Sequence, residues 1–349
     1  MPKKTLKAGV IGLGMGQGHV RGLQNHPEVE VVAVADLSQE RLDKVKAEYN
    51  VPRTYKEGEE MIRKEDLDIV GIATPNFLHA PLSIKALKAG AHVFCEKPMA
   101  INVREAEQME KTAREKKKVL MIDFSYRFSD LSLALREQVR TGVIGTPYYA
   151  RTVWHRRKFF PGFGGWFGQK KLSGGGPLID LGVHRIDLAL WLMGSPRPLS
   201  VLGVTYDKLV KDMTKGKKSK FDCEDLALGM IKLENGITML VEISWGLHGK
   251  NDEYMRTEIY GTKGSVVQKN IEQGYKFEGW VYTEEAGAMY DKKLARTTVK
   301  APGAYENFVD VIKGRAKENF GSAADGVAIQ RILNGMYESA EKGKEIKFR

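Results

Sequence analysis

With 349 residues, 42% of them apolar and 28% charged, the chain holds enough hydrophobic material for two globular domains. No apolar run approaches the roughly 18 residues that span a bilayer, two cysteines cannot build a disulfide framework, and the start at Met1 leads into a strand pattern without a signal peptide's apolar core. The net charge of +11 raises nucleic acid as a partner, yet the lysine runs at 116–118 and 215–220 lack interleaved aromatics, so neither nucleic acid nor membrane is expected, and the cytoplasm is the expected compartment.

The first 120 or so residues alternate strand and helix patterns. Apolar runs at 6–12, 29–35, 69–73, 91–95 and 119–123 read as buried strands. Helical patterns fill the intervals at 16–25, 39–49, 79–88 and 102–116, with Ser38 as an N-cap and Gly90 as a C′ glycine. Strands this apolar, separated by helices, predict a doubly wound parallel sheet, the Rossmann arrangement, over residues 1–124.

Beyond about residue 124 the rhythm changes. A helix at 131–140 precedes a β run at 147–154, an aromatic, Gly-rich loop at 159–176, and a helix at 180–193 closed by Gly194. Alternating strands follow at 199–206, 226–233, 237–245 and 256–260; Asn235-Gly236 predicts a hairpin and Gly261 to Gly264 a second tight turn. Helices return at 304–313 and 323–342. Residues 125–349 are therefore expected to form an α+β domain with a large, mainly antiparallel open sheet, its C-terminal helices free to pack back on the first domain. A sheet with one uncovered face suggests a homodimer or homotetramer.

Gly12-Leu13-Gly14-Met15-Gly16-Gln17-Gly18 falls where a strand becomes a helix, the place where glycines let a backbone approach pyrophosphate and a helix N-terminus favours anions. Gln17 occupies the third glycine position of G-x-G-x-x-G, so the turn is reshaped. Asp36 ends the second strand, where an acid accepts the ribose hydroxyls and repels a 2′-phosphate; NAD is therefore favoured over NADP, with Arg41 the nearest cation for such a phosphate. A helix-capping role for Asp36 is the alternative.

These glycines, with His19, the stretch Ala73-Thr74-Pro75-Asn76-Phe77-Leu78-His79, Glu96-Lys97-Pro98, and the run from Gly174 to Asp187 that carries Asp180 and His184, resemble the glucose–fructose oxidoreductase / inositol dehydrogenase (Gfo/Idh/MocA) family over nearly the whole chain. The resemblance implies an NAD-dependent dehydrogenase acting on a secondary hydroxyl of a cyclic polyol, sugar or sugar derivative. It implies Lys97, Asp180 and His184 as the catalytic set. Asp180 and His184 are four apart, hence on one helix face. His184 is suited to take the hydroxyl proton, Asp180 to orient it, and Lys97 to stabilise developing alkoxide. Gly12, Gly14, Met15, Gly16, Asp36, Thr74, Pro75, Asn76, His79, Glu96, Lys97 and Trp166 are expected at the cofactor. Lys97, Tyr126, Arg127, Asp180 and His184 are expected at the substrate. Pro98 invites a cis bond, and Asp187 is expected to face a neighbour across its helix.

Other readings of single residues stay open: an i,i+4 ion pair for Asp180 and His184, plain packing for Trp166, and either solvated charge or a substrate-anion contact for His155, Arg156 and Arg157. The hydride step is shared with NAD-retaining glycosidases and sugar transhydrogenases, and a dinucleotide sensor is the non-catalytic alternative. No His or Cys spacing suggests a metal, and no G-x-S-x-G or P-loop is present.

Overall fold

The computed structural model describes residues 5–157, 165–216 and 220–348. Part of the lysine run at 215–220 and the stretch 159–164 of the aromatic loop lie outside the described residues. The chain divides into two compact units, Met1–Asp123 with Pro302–Val327, and Phe124–Ala301 with Ala328–Arg349.

In the first unit the elements follow in order β1 (Leu6–Ile11), α1 (Gln17–Gln24), β2 (Val29–Ala35), α2 (Gln39–Tyr49), β3 (Arg53–Tyr55), α3 (Gly58–Lys64), β4 (Ile69–Ile72), α4 (His79–Ala89), β5 (His92–Cys95), α5 (Val103–Lys116) and β6 (Leu120–Ile122). All six strands run parallel in the order β3-β2-β1-β4-β5-β6. The strand order reverses between β1 and β4, and ligands of such sheets bind beyond the carboxyl ends of the strands at that crevice. The β1, β2, β4 and β5 interiors are nearly all buried Val, Ile and Ala, as a sheet covered on both faces requires. Ser38 Oγ accepts from Arg41 N, the N-cap the sequence indicated, and Asn102 Oδ1 accepts from Glu105 N as the N-cap of α5, one residue outside the helix rather than in it.

The second unit begins with α6 (Asp130–Arg140) and β7 (Pro147–Arg156), followed by the single turn α7 (Lys170–Ser173). The predicted helix at 180–193 is split: Leu178–Gly182 is a π-helical turn, and α8 is Val183–Leu192. Then come β8 (Pro198–Tyr206), α9 (Lys208–Thr214), β9 (Leu226–Leu233), β10 (Thr238–Ser244), β11 (Glu253–Gly261), β12 (Gly264–Ile271), β13 (Lys276–Glu285) and β14 (Ala288–Lys293). With the terminal β15 (Ile346–Lys347) they form one nine-stranded sheet, β14-β13-β12-β11-β7-β10-β9-β8-β15. It is antiparallel except for the β7–β10 pair, which is parallel. The β9–β10 hairpin turns at Asn235 and Gly236, both at positive φ, as Asn-Gly predicts.

Two further helices close the chain, α10 (Ala304–Ile312) and α11 (Ala323–Lys342). In the first unit, Tyr305 and Phe308 of α10 pack on Phe94, with ring centroids 5.0 and 5.4 Å away, and Ile122 N donates to Gly321 O at 2.8 Å. The later turns of α11 belong to the second unit, where the Met336 backbone lies too close to Gly203 for a Cβ and the end of the Met336 side chain lies over Gly229. That covers one face of β8 and β9. The alternate residues Leu202, Val204 and Tyr206 face the other way and are exposed. Among the described residues no helix is long and apolar enough to cross a membrane.

Candidate active site

The first unit gathers its polar residues at the strand ends. After β1 the chain turns at Gly12, whose φ of +85° and closeness to Ala73 O both exclude a side chain. A Cβ on Gly16 would lie 1.9 Å from Gly12 O, whereas Gly14 and Gly18 face open space. The reshaped turn is held by Gln17, whose Nε2 donates to Leu13 O at 2.9 Å. Helix α1 starts with neither a side-chain cap nor an acid in its first turn, which suits it to a dinucleotide's phosphates. Met15 is largely exposed at this turn.

Asp36 follows β2. Its Oδ2 accepts from Leu13 N (2.7 Å) and its Oδ1 from Ser38 N (2.8 Å), so the acid ties the glycine turn to the second strand. Arg41 Nη1 is 3.6 Å from Asp36 Oδ2. Arg41, the cation expected for a 2′-phosphate, is thus already turned toward an acid, and Lys56 Nζ donates to Leu37 O at 3.3 Å; both arrangements fit NAD.

After β4, Thr74 and Pro75 lead into a short 3-10 turn from Asn76, which is buried. His79 is enclosed below them, its ring nitrogens 2.9 Å from Thr74 O and 2.7 Å from Pro98 O. Burial pushes its pKa down, against the pull of those two carbonyls and of Glu96. His79 therefore joins the loops after β4 and β5 through their backbones. The Lys97–Pro98 bond is cis.

Beside Lys97 lies a cluster not foreseen as such from sequence. His19 Nε2 is 3.1 Å from Glu96 Oε1, and ligand atoms of His19, Glu96 and Asp123 all lie within 4.8 Å of one another. Burial raises Glu96, but the bond from His19 and the charges of His19, Lys97 and His79 together hold it below the usual carboxylate value. Burial, and then the Glu96 charge, push Asp123 up to about 7. Near neutral pH the two acids thus carry less than two negative charges, and Glu96 takes the greater share.

The second unit presents the helical pair. Asp180 sits in the π turn and His184 in the first turn of α8; π turns inside helices frequently mark functional sites. Glu224, fully enclosed before β9, accepts from Gly176 N (2.9 Å), Leu178 N (3.1 Å) and Tyr337 Oη (2.7 Å). Burial raises its pKa despite those three donors. Trp245, just past β10, donates its indole N–H to Asp180 Oδ2 at 2.9 Å. His184 has edge contact with Tyr126 (5.3 Å between centroids) and a tilted contact with Trp154 (6.0 Å).

Of the neighbouring cations, Arg156 and Arg127 are paired with carboxylates, whereas the guanidinium nitrogens of the buried Arg185 meet only aromatic rings among the described residues, and burial lowers its pKa. Arg156 Nε bonds Glu253 Oε1 at 2.8 Å and its Nη2 bonds Tyr275 Oη at 2.7 Å. Burial works against its charge, but Glu253, Tyr275 and Asp180 outweigh it and raise its pKa. Arg185, fully buried, lies 4.2 Å from the Tyr126 ring centroid and 5.3 Å from those of Trp154 and Phe277. Arg127, expected among the substrate contacts, is a correction: it is buried in an ion pair with Asp187, Nε to Oδ1 2.9 Å, because an enclosed charge needs an enclosed partner. His155 points to Glu242 (3.9 Å) and Tyr254. Trp166 is half-buried with its edge against Phe167. Trp245, Glu224 and Asp123 were not among the expected site residues; in sequence the first is only the last apolar residue of a strand, and the others are acids beside strands.

Comparison with known proteins agrees with this division. The oxidoreductase family GFO/IDH/MocA with its NAD-binding Rossmann fold matches residues 6–124, and the GFO/IDH/MocA C-terminal domain matches 132–267. D-glucoside 3-dehydrogenase of Escherichia coli (strain K12) is 29% identical, with 99% of each chain covered. Myo-inositol 2-dehydrogenase of Thermotoga maritima is 28% identical over 77% of this chain and 76% of its own. The structure of a levoglucosan dehydrogenase in complex with NADH and levoglucosan superposes with a TM-score of 0.84 at 26% identity, covering 99% of both chains. The glycine turn with Asp36, the six-stranded parallel sheet and these matches through both units make the chain a member of the GFO/IDH/MocA family of NAD-binding oxidoreductases.

Proposed function

We propose that this protein is an NAD-dependent dehydrogenase that oxidises a secondary hydroxyl on the ring of an uncharged sugar, glycoside or cyclic polyol. NAD, when bound, supplies the hydride acceptor. Gly12, Gly14, Met15 and Gly16 hold its phosphates against α1, Asp36 takes the adenosine ribose, and Thr74, Pro75, Asn76, Glu96 and Trp166 line the remainder, with His79 fixing the loops. His184 takes the hydroxyl proton, Asp180 orients the ring and substrate, and Lys97 stabilises the alkoxide as the C–H bond weakens. Tyr126, in contact with His184, borders the substrate.

The observation that carries the choice of an uncharged substrate is the state of three guanidinium groups of the second unit: Arg156 is paired with Glu253 and Tyr275, Arg127 with Asp187, and Arg185, whose nitrogens have no hydrogen-bond partner among the described residues, is 0% exposed and offers no surface to a ligand. A phosphate or carboxylate would need a guanidinium that is both accessible and uncompensated, whereas a sugar hydroxyl needs only donors and acceptors. The names of the relatives, a glucoside, an inositol and a levoglucosan dehydrogenase, support the same class.

The test is NADH absorbance with NAD or NADP and a panel of neutral sugars, glycosides and inositols beside uronates and sugar phosphates. NADH formed from a neutral compound supports the reading; turnover confined to acidic compounds overturns the substrate class. Release of a sugar from a glycoside without net NADH would favour the NAD-retaining glycosidase instead. The exposed Leu202, Val204 and Tyr206 stripe is where a second copy of the chain packs in the homo-oligomer we propose. Leu202→Glu should lower the mass seen by light scattering, and an unchanged mass would place the interface elsewhere.

A further inference from the structure

Resting on the reading of Asp180 above, we propose that Trp245 is a positioning residue that aims the Asp180 carboxylate. The indole N–H donates to Oδ2 at 2.9 Å, which fixes that oxygen and directs the other one, Oδ1, away from the indole. A carboxylate on a π turn has a displaced backbone register, so its direction needs an external hold.

Trp245 is built to supply that hold. It is 0% exposed. Phe167 stacks on it with centroids 5.8 Å apart and a 30° interplanar angle, and Phe221 meets it edge-on at 6.0 Å and 72°. Its main-chain N–H donates to Asp225 O at 3.1 Å, and the Oγ of the preceding Ser244 donates to the same carbonyl at 2.8 Å. The residue before Asp225 is Glu224, whose carboxylate takes the N–H groups of Gly176 and Leu178 where the π turn begins. One short segment, Glu224-Asp225, therefore anchors both the start of the turn and the indole that holds its aspartate. Gly176 permits this closeness: a Cβ there would lie 2.3 Å from Glu224 O. Ile243, two residues before Trp245, packs near Gly182 at the end of the turn. The turn is thus held at its beginning, middle and end by residues just before β9, just past β10 and within β10.

Trp245→Phe keeps an aromatic ring, removes the indole N–H donor and leaves a small void in a fully buried site. A hydrogen bond to a charged group corresponds to roughly 10-fold to 100-fold in rate, so kcat should fall by about that factor, with NAD affinity near wild type and the melting temperature lowered by the void. In an Asp180→Ala background the same substitution should cost nothing further, because a residue acting through Asp180 has nothing left to aim. A second readout needs no substrate. The chain has five tryptophans, so the 15N indole signals are few, and Trp245→Phe identifies its own by deletion. Asp180→Ala should move that signal. An unmoved signal, or a Trp245→Phe loss that multiplies with the Asp180→Ala loss, overturns the proposal. Wild-type turnover in Asp180→Ala would instead sink the catalytic reading of Asp180, and a loss in Asp180→Ala that Trp245→Phe does not share would sink the positioning role alone.

Discussion

The two units hold their polar residues by different means. In the first, backbone does most of the holding: Asp36 captures Leu13 N and Ser38 N, and His79 meets the carbonyls of Thr74 and Pro98. Every partner lies at the end of a strand in one parallel sheet, so the topology itself brings them together. In the second, pairs of side chains remote in sequence add to such holds: Trp245 reaches Asp180, and Arg127 pairs with Asp187 across 60 residues. A cofactor that is the same for many enzymes suits a cradle fixed by topology. A substrate that differs suits a wall of side-chain pairs, each replaceable without redrawing the sheet.

Breaking the second unit's chemistry should have the largest effect. His184→Ala is expected to lower kcat by about 10² to 10⁴, the range of a general base, with the fold intact by circular dichroism. Asp187→Ala should follow: it leaves the enclosed Arg127 unpaired and costs about 3–5 kcal/mol in urea unfolding. Asp187→Ala stability within error of wild type would show that the pair is not structural.

Lys97 aside, the first unit's changes should be smaller because its holds are distributed. Asp36→Ala is expected to weaken NAD binding about tenfold, near the lower end for a charge-assisted bond, and to erode discrimination against NADP; calorimetric titration with both dinucleotides measures it. Asp123 makes the smallest and most conditional difference. Its carboxyl is raised from 3.8 to about 7 in the folded chain, so the folded state binds more protons between those values. Its contribution is full below pH 4 and is lost as pH rises toward 7. Asp123→Asn, which cannot ionise, should therefore gain stability relative to wild type as pH climbs from 4 to 8. A constant difference in melting temperature across that range would contradict the buried, proton-holding acid.

The same contrast explains what could be read from sequence. β2, α2, β9 and α11 match their predicted limits, because buried apolar runs and capping residues such as Ser38 are local signals. β3 and α3 were not foreseen: Arg53-Thr54-Tyr55 is three residues long and Gly58–Lys64 is mostly charged, so neither shows a clear period. The strands β12 to β14 lack a clean alternation: four successive residues of β12, Ser265 to Gln268, are buried, β13 is rich in Glu, and β14 is exposed throughout. The π turn was read as ordinary helix, since residue spacing does not register one extra residue in a turn. Arg127 was expected at the substrate because a charge past a strand end looks available, and its partner 60 residues on is a long-range contact. Trp245 was hidden for the same reason.

The most direct test of the central claim is the initial rate of NADH formation from a neutral cyclic polyol or glycoside, wild type beside Lys97→Ala, at saturating NAD. The account predicts turnover by the wild type and a loss of about 10² or more in kcat for the variant. A Lys97→Ala enzyme that runs at the wild-type rate on the same compound would contradict it.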